Sequence, residues 1–325
     1  MTSRMQVHRS LSGLQQNPLS SSVATIGVFD GVHCGHQSLL TRLGEWGREL
    51  QRETVVITFR QHPMVVLGHL PPAVLCSLEH RLLLLERCGV DHTLVLDFDA
   101  ELASWSAERF VEEVLFTRLS CRHLLLGFDS AFGKGAQGTA EYLAAQDWEL
   151  EVQSGAALEI DGERVSSSVV RAAVLKGELV RAERFLGRPV SLYGEVIHGD
   201  GRGKTIGFPT ANMNLFHSAA PPHGVYLAAV ELDGRSYGAL VNIGRRPTFL
   251  DSTQPQEYSR FFNEQIDQVE MFIDDFSGDL YGRRLEATLH GKVRDERRFD
   301  SVEELTQQIH RDVETMRTWF ERRSR

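Results

Sequence analysis

The spacing of apolar residues changes once along the chain. In the first half, compact apolar runs alternate with stripes of helical period. Val23 to Phe29 predicts a buried strand that breaks at Asp30-Gly31, and Leu39, Leu40, Leu43 and Trp46 then recur at the spacing of a helix face. Thr54 to Phe59 predicts a second strand and Leu78 to Cys88 a helix closed by Gly89. Thr93 to Phe98 predicts a third strand, Ser106 to Leu119 a helix with Ser106 as N-cap, and His123 to Gly127 a fourth strand. Glu151 to Ile160 reads as a fifth. Ser166, Ser167 and Ser168 open a helix that runs through Val169 to Leu175 and stops at Gly177, with a second short helix from Glu178 to Leu186. Strand–helix alternation of this kind predicts a parallel, Rossmann-like α/β sheet, whose ligands bind beyond the carboxyl ends of the strands. The polar residues at those ends are Asp30, His33, His36, His62, Asp97, Asp99 and Asp129.

Past Gly187-Arg-Pro189 the runs become short and are separated by Gly, Pro and Asp turns: Val190 to Ile197, Gly224 to Glu231, Ser236 to Ile243, Glu270 to Phe276 and Arg284 to Val293. Asp233-Gly234 between two of them is a hairpin signal. This half predicts a small antiparallel β-barrel. Ser301-Val-Glu-Glu304 has the form of a capping box, and Leu305, Ile309, Val313, Met316 and Phe320 make one stripe of a closing helix. The boundary divides the chain into residues 1–186 and 187–325.

Composition narrows the class. At 325 residues the chain is long enough for two domains, and 42% hydrophobic with 24% charged residues is ordinary for a globular protein. A net charge of −9 without a basic run argues against a nucleic-acid partner. Cys34, Cys76, Cys88 and Cys121 show no metal-ligand spacing and predict reduced thiols. Met1 to Ser22 lacks the apolar core of a secretory signal, and no apolar run approaches the ~18 residues of a membrane span, so a cytoplasmic protein is expected.

Five groups of residues carry candidate chemistry. His33 and His36 flank Gly35 where the first strand gives way to a helix, beside Gly27, Phe29 and Asp30; there helix N–H groups and imidazoles would face an α-phosphate. Zinc ligation or a plain loop are the other readings. Ser167 and Ser168 with Arg171 one turn on would suit a β,γ-phosphate tail, or are simply a cap and a surface arginine. In Gly127 to Gly135, Phe128 and Asp129 offer a ring and a carboxylate to an aromatic ligand, against the alternative of an ordinary glycine-rich connection. Gly199, Gly201, Lys204 and Gly207 form a glycine-rich loop ahead of Thr210 and Asn212, two neutral oxygen donors on one face of an extended segment, fit for magnesium or for an Asx turn. Glu270, on the same strand face as Phe272, is a general base if that face points at a site and unremarkable if the strand is an edge.

Taken in order, Gly27 to His36, Thr58 to Pro63, Gly127 to Gly135, Val165 to Arg171, Gly207 to Asn212, Asn242 to Phe249 and Gly278 to Gly282 resemble the bacterial bifunctional riboflavin kinase/FAD synthetases over nearly the whole chain. The resemblance implies a nucleotidyltransferase-like first domain that joins FMN to ATP, giving FAD and pyrophosphate, and a barrel that phosphorylates riboflavin to FMN with ATP and a divalent cation, usually Mg2+. It further implies that His33 and His36 hold the ATP phosphates, that Ser167, Ser168 and Arg171 take the β,γ-phosphates, and that Phe59, His62, Phe128 and Asp129 lie near flavin or nucleotide. Thr210 and Asn212 would organise metal and phosphates, and Glu270 would take the proton of the ribityl hydroxyl. Riboflavin, FMN and ATP are the implied partners, without nucleic acid or membrane, for a monomer or weak homo-oligomer. Riboflavin kinase alone with a degenerate transferase half, and a flavin- or nucleotide-binding regulator, are the alternatives. Ser130-Ala131, Gln61, Cys34 and Phe272 depart from the family pattern, and Leu250 to Gln268 is longer than its usual link.

Overall fold

The computed structural model describes residues 4–16, 19–199, 203, 206–217, 219–244 and 268–323. Two compact units divide the chain, Met1–Pro72 with Leu78–Ser167 and Ala73–Ser77 with Ser168–Arg325.

The first unit contains β1 (Gln6–His8), α1 (Leu11–Gln16), β2 (Ser22–Ile26), α2 (Cys34–Leu50), β3 (Glu53–Phe59), α3 (Leu78–Arg87), β4 (His92–Leu96), α4 (Ala100–Ser104), α5 (Ala107–Phe110), β5 (Cys121–Leu126), α6 (Ala140–Ala144) and β6 (Glu151–Ser154). Six strands form one sheet in the order β1-β4-β3-β2-β5-β6, and every pairing is parallel. The central strands are apolar at successive positions because both faces are covered. Val23, Val56, Val95 and Leu125 pack under α2 and α3, while Ala24, Ile26, Ile57, Leu94 and Leu124 pack against Phe110, Val114 and Leu115 on the other face.

Several predicted elements take different bounds, among them β2, which stops at Ile26 and not Phe29, and the strand predicted from Glu270 to Phe276, which runs Gln268–Ile273. Ser106 caps its helix as expected, accepting from the Arg109 amide, but after Phe110 the helix widens into a π stretch over Val111–Phe116. The run read as one strand from Glu151 to Ile160 stops at Ser154, opposite Leu126 where β5 ends, and the Gly155 amide makes the last ladder bond to Leu126 O. Its remainder, β7 (Glu159–Ile160), pairs with β8 (Glu163–Arg164) across Asp161-Gly162, both at positive φ. The serine-rich helix, α7 (Ser167–Leu175), begins two residues before Val169.

The second unit follows α7 with α8 (Leu179–Leu186), then β9 (Ser191–Ile197), β10 (Thr210–Leu215), β11 (Gly224–Leu232), β12 (Arg235–Gly244), β13 (Gln268–Ile273), β14 (Arg284–Arg294) and α9 (Val302–Arg323). The six strands close into an antiparallel barrel in the order β10-β13-β12-β11-β14-β9. Asp233-Gly234 makes the predicted hairpin turn, with φ of 52° and 80°. Val269, Met271 and Ile273 are buried in the barrel with Met213, Ala239 and Val241. The opposite face of the wall carries Phe272, Leu240 and Val225, which pack with Phe208 against Val313 and Met316 of α9. That helix starts as a capping box: Ser301 Oγ accepts the Glu304 amide at 3.1 Å and Glu304 reaches back to Asp300 N.

Candidate active sites

In the first unit the turn between β2 and α2 is tightly wound. Phe29, Gly31 and Val32 all have positive φ, at 54°, 78° and 40°. For buried, β-branched Val32 this is a strained conformation, of the sort that persists where surrounding structure over-determines it. Gln37 Nε2 donates to Val32 O at 2.8 Å and fixes the loop to the helix it precedes. His33 is the N-cap of α2, and its Nδ1 accepts the His36 amide. A Cβ on Gly35 would lie 3.2 Å from the His33 ring, so glycine lets that ring fold over the helix start. The two imidazoles stack, with centroids 3.7 Å apart, and Phe29 lies 5.0 Å from His36 on another side.

Burial first, then His33 and the Arg81 guanidinium, push the His36 pKa well below the usual imidazole value, so this ring is neutral near pH 7. Its Nδ1 is buried without a hydrogen-bond partner among the described residues. Arg81 is itself buried and bonds Phe59 O, which ends β3, at 2.7 Å and Val28 O, two residues beyond β2. Sequence reading missed Arg81. The signal was a charged residue on the apolar stripe Leu78, Leu82, Leu85 of α3.

The other residues predicted for this half divide. Ser167 Oγ donates to Asp30 O at 3.0 Å and so joins the loop. Ser168 and Arg171 belong to the second unit, where Arg171 Nε donates to Ala73 O at 2.5 Å. Phe59 is a core residue set edge-on to Phe98, whereas Phe128 is 57% exposed. Arg164, which carried no assignment from sequence, lies over the Phe128 ring and pairs with Asp129. His62 caps a short 3-10 turn by accepting from the Met64 amide. Asp97 pairs with Arg60 and Asp99 caps α4, so these two strand-end carboxylates have local partners.

In the second unit, Glu270 of β13 stands across from Asn212 of β10 on one side and Asn242 of β12 on the other. Thr210, opposite Phe272, lies two residues before Asn212 on the same face. β13 is bonded on both sides, so the edge-strand reading of Glu270 does not hold. The main chain crowds this row: a Cβ on Gly199 would fall 2.0 Å from Asn212 Nδ2, and one on Gly203 would fall 3.2 Å from Thr210 Oγ1. Gln268 Nε2 donates to Asn212 Oδ1 at 2.9 Å and to Glu270 Oε1 at 3.0 Å. Two neutral oxygens beside a carboxylate suit a hard cation that keeps several of its waters, so this donor set fits Mg2+. Among the described residues there is no cluster of three His, Cys, Asp or Glu side chains for a metal. Gly207, at φ 84°, precedes Phe208 of the helix-facing cluster. Gly201, Lys204 and residues 250–267 lie outside the described residues.

Residues 15–169 match the family model for FAD synthetase and residues 186–320 that for riboflavin kinase. Over 322 residues the chain is 37% identical to the bifunctional riboflavin kinase/FMN adenylyltransferase of Escherichia coli (strain K12), covering 97% of this chain and 98% of the relative. The chain belongs to the bifunctional riboflavin kinase/FMN adenylyltransferase family. The Bacillus subtilis (strain 168) protein of the same name is 33% identical over 308 residues, 93% of each chain. A crystal structure described as a macrolide-efflux protein from Streptococcus pneumoniae matches with a TM-score of 0.77 and 31% identity, over 94% of this chain and 97% of that one. Among the described residues of this family member, no helix is long and apolar enough to cross a membrane.

Proposed function

We infer that this family member makes flavin cofactors in two ATP-dependent steps, phosphorylating riboflavin to FMN and adenylylating FMN to FAD with release of pyrophosphate. The observation that carries the reading is that the FAD synthetase and riboflavin kinase models fall on successive parts of a chain whose full-length relatives bear both names. We assign the adenylyl transfer to residues 1–186 and the kinase to residues 187–325. Purified protein given riboflavin, ATP and Mg2+ is expected to accumulate FMN and then FAD on chromatography; folded protein that forms neither product overturns the reading.

For adenylyl transfer, an FMN phosphate oxygen attacks the α-phosphorus of ATP in line, and the bond to the bridging oxygen of pyrophosphate breaks. Such a reaction needs placement and charge neutralisation more than a protein nucleophile. His33 and His36, with the α2 start and Gly27, Phe29, Asp30 and Gly35 around them, would hold the α-phosphate and steady its growing charge. A neutral His36 binds phosphate as a hydrogen-bond donor and not as a cation. Ser167, Ser168 and Arg171 are assigned the β,γ-phosphates. Phe59, His62, Phe128 and Asp129 are assigned the flavin or nucleotide; Phe128, with Arg164 over its ring, is the more exposed of the two phenyl rings.

For the kinase, Glu270 would accept the proton of the terminal ribityl hydroxyl as its oxygen attacks the γ-phosphorus and ADP leaves. Thr210 and Asn212 would hold Mg2+, which supplies charge neutralisation to the phosphates when bound. The loop of Gly199, Gly201, Lys204 and Gly207 is assigned the ATP phosphates. We further propose a cytoplasmic monomer or weak homo-oligomer that acts without nucleic acid; sedimentation of the purified protein as a stable higher oligomer would contradict that state.

A further inference from the structure

The row of side chains beside Glu270 contains a residue with no part in the assignment above. Gln268 precedes Glu270 by two positions on β13, so both side chains leave the strand on the same face, away from buried Val269 and Met271. Asn212 lies directly across from Glu270, which makes Gln268 its diagonal neighbour, within reach of a long side chain. The Gln268 carboxamide closes this triangle, with Nε2 2.9 Å from Asn212 Oδ1 and 3.0 Å from Glu270 Oε1.

We propose that Gln268 is a positioning residue of the riboflavin kinase site, its one amide nitrogen holding the Glu270 carboxylate and the Asn212 carbonyl in a fixed mutual orientation. The inference rests on the kinase reading of this barrel. A primary amide nitrogen carries two N–H bonds that diverge in one plane, so it can serve two acceptors at once. Neither a hydroxyl nor a single backbone N–H can do this. The bond to Glu270 is charge-assisted and therefore among the stronger ones. It restrains a side chain with three rotatable bonds whose useful rotamer is the one aimed at the attacking hydroxyl, and each such restraint lowers the entropy lost in ordering that rotamer. Asn212 is constrained from the other side as well, where its Nδ2 abuts the Gly199 main chain and leaves Oδ1 turned toward Gln268. The two contacts together leave the carboxamide one orientation.

The test measures both half-reactions in Gln268→Met and Gln268→Glu, the first removing the donors at similar length and the second replacing them with a like charge. Loss of positioning at the reacting group is expected to lower kcat for riboflavin phosphorylation roughly tenfold in Gln268→Met and further in Gln268→Glu. KM for riboflavin is expected within about twofold of the wild type, because the substrate's own contacts are untouched. FMN adenylylation is expected unchanged in both. A Gln268→Met variant with wild-type kcat overturns the proposal, as does a rise in riboflavin KM with kcat unchanged. If Gln268→Met loses both activities together it has misfolded, and Gln268→Glu then decides: full kinase turnover in it overturns the proposal, and a selective kcat loss sustains it. Wild-type protein that makes no FMN would instead defeat the kinase reading itself.

Discussion

His33 accepts the backbone N–H of His36 through Nδ1 at 3.3 Å while the two rings stack at 13° with centroids 3.7 Å apart. One side chain thus caps the start of a helix and would also wall the proposed phosphate site. An accepting Nδ1 carries no proton, which leaves the neutral His33 ring with its proton on Nε2, as a donor. The cap and the catalytic contribution can be separated by substitution. His33→Ala is expected to lose adenylylation about 100-fold or more and about 1 kcal/mol of stability, whereas His33→Asn restores the cap but not the rate. Riboflavin phosphorylation in the same preparations is expected to stay at the wild-type level. FAD formation from FMN and ATP, together with thermal melting, checks the pair.

Acid is expected to weaken the second unit through His290. Burial first, and the Arg323 guanidinium beside it, push this imidazole down to about 4, and Arg323 Nη1 lies 2.7 Å from His290 Nδ1. The unfolded chain therefore binds the proton at higher pH than the folded one. Stability from this group is fully present above the ordinary imidazole pKa of about 6.5 and is lost as pH falls toward about 4. His36, depressed in the same direction, adds a decline of the same sign in the first unit. His290→Gln is expected to flatten the fall of the melting temperature between pH 6.5 and 4, and an unchanged slope would contradict the assignment.

Much of this was legible in the sequence because the period of the apolar pattern is set by which faces are covered. The first-unit strands read clearly since Val55, Val56 and Ile57 are buried on both sides of the sheet. The break after Ser154 was not legible, as it depends on where the partner strand β5 ends, at Leu126. In the barrel, β10 was seen only as an extended segment, because the Thr210–Leu215 run mixes three polar residues with three apolar ones. Glu270, Thr210 and Asn212 could be named from residue type and alternation. Their union could not, because the register Asn212–Glu270–Asn242 joins three strands far apart in the chain. Gln268 and Arg81 were missed for the same reason: each bonds acceptors remote from it in the chain, Asn212 in the one case and Val28 and Phe59 in the other.

Gly199 offers a steric test of the proposed kinase site that removes no polar group. A Cβ there would sit 2.0 Å from Asn212 Nδ2 and 2.5 Å from its Cγ, far inside contact distance. Gly199→Ala is therefore expected to rotate the Asn212 carboxamide and lower riboflavin phosphorylation at least tenfold, an effect of misplacement near reacting groups. FMN adenylylation is expected to be unaffected. Equal loss of both activities would show that the substitution acts through folding.

Glu270→Gln removes the proposed base while keeping its length and one acceptor oxygen. The strand is held by pairing on both sides and by Val269 and Met271 in the barrel, so the change is not expected to disturb the fold. A carboxamide cannot take the hydroxyl proton, and loss of a general base costs about 100-fold or more in kcat. If Glu270 instead only bound substrate, its loss would appear in KM for riboflavin with kcat nearly kept. Steady-state kinetics of FMN formation separate these outcomes, and FAD formation from supplied FMN, expected at the wild-type rate, verifies that the first unit is intact.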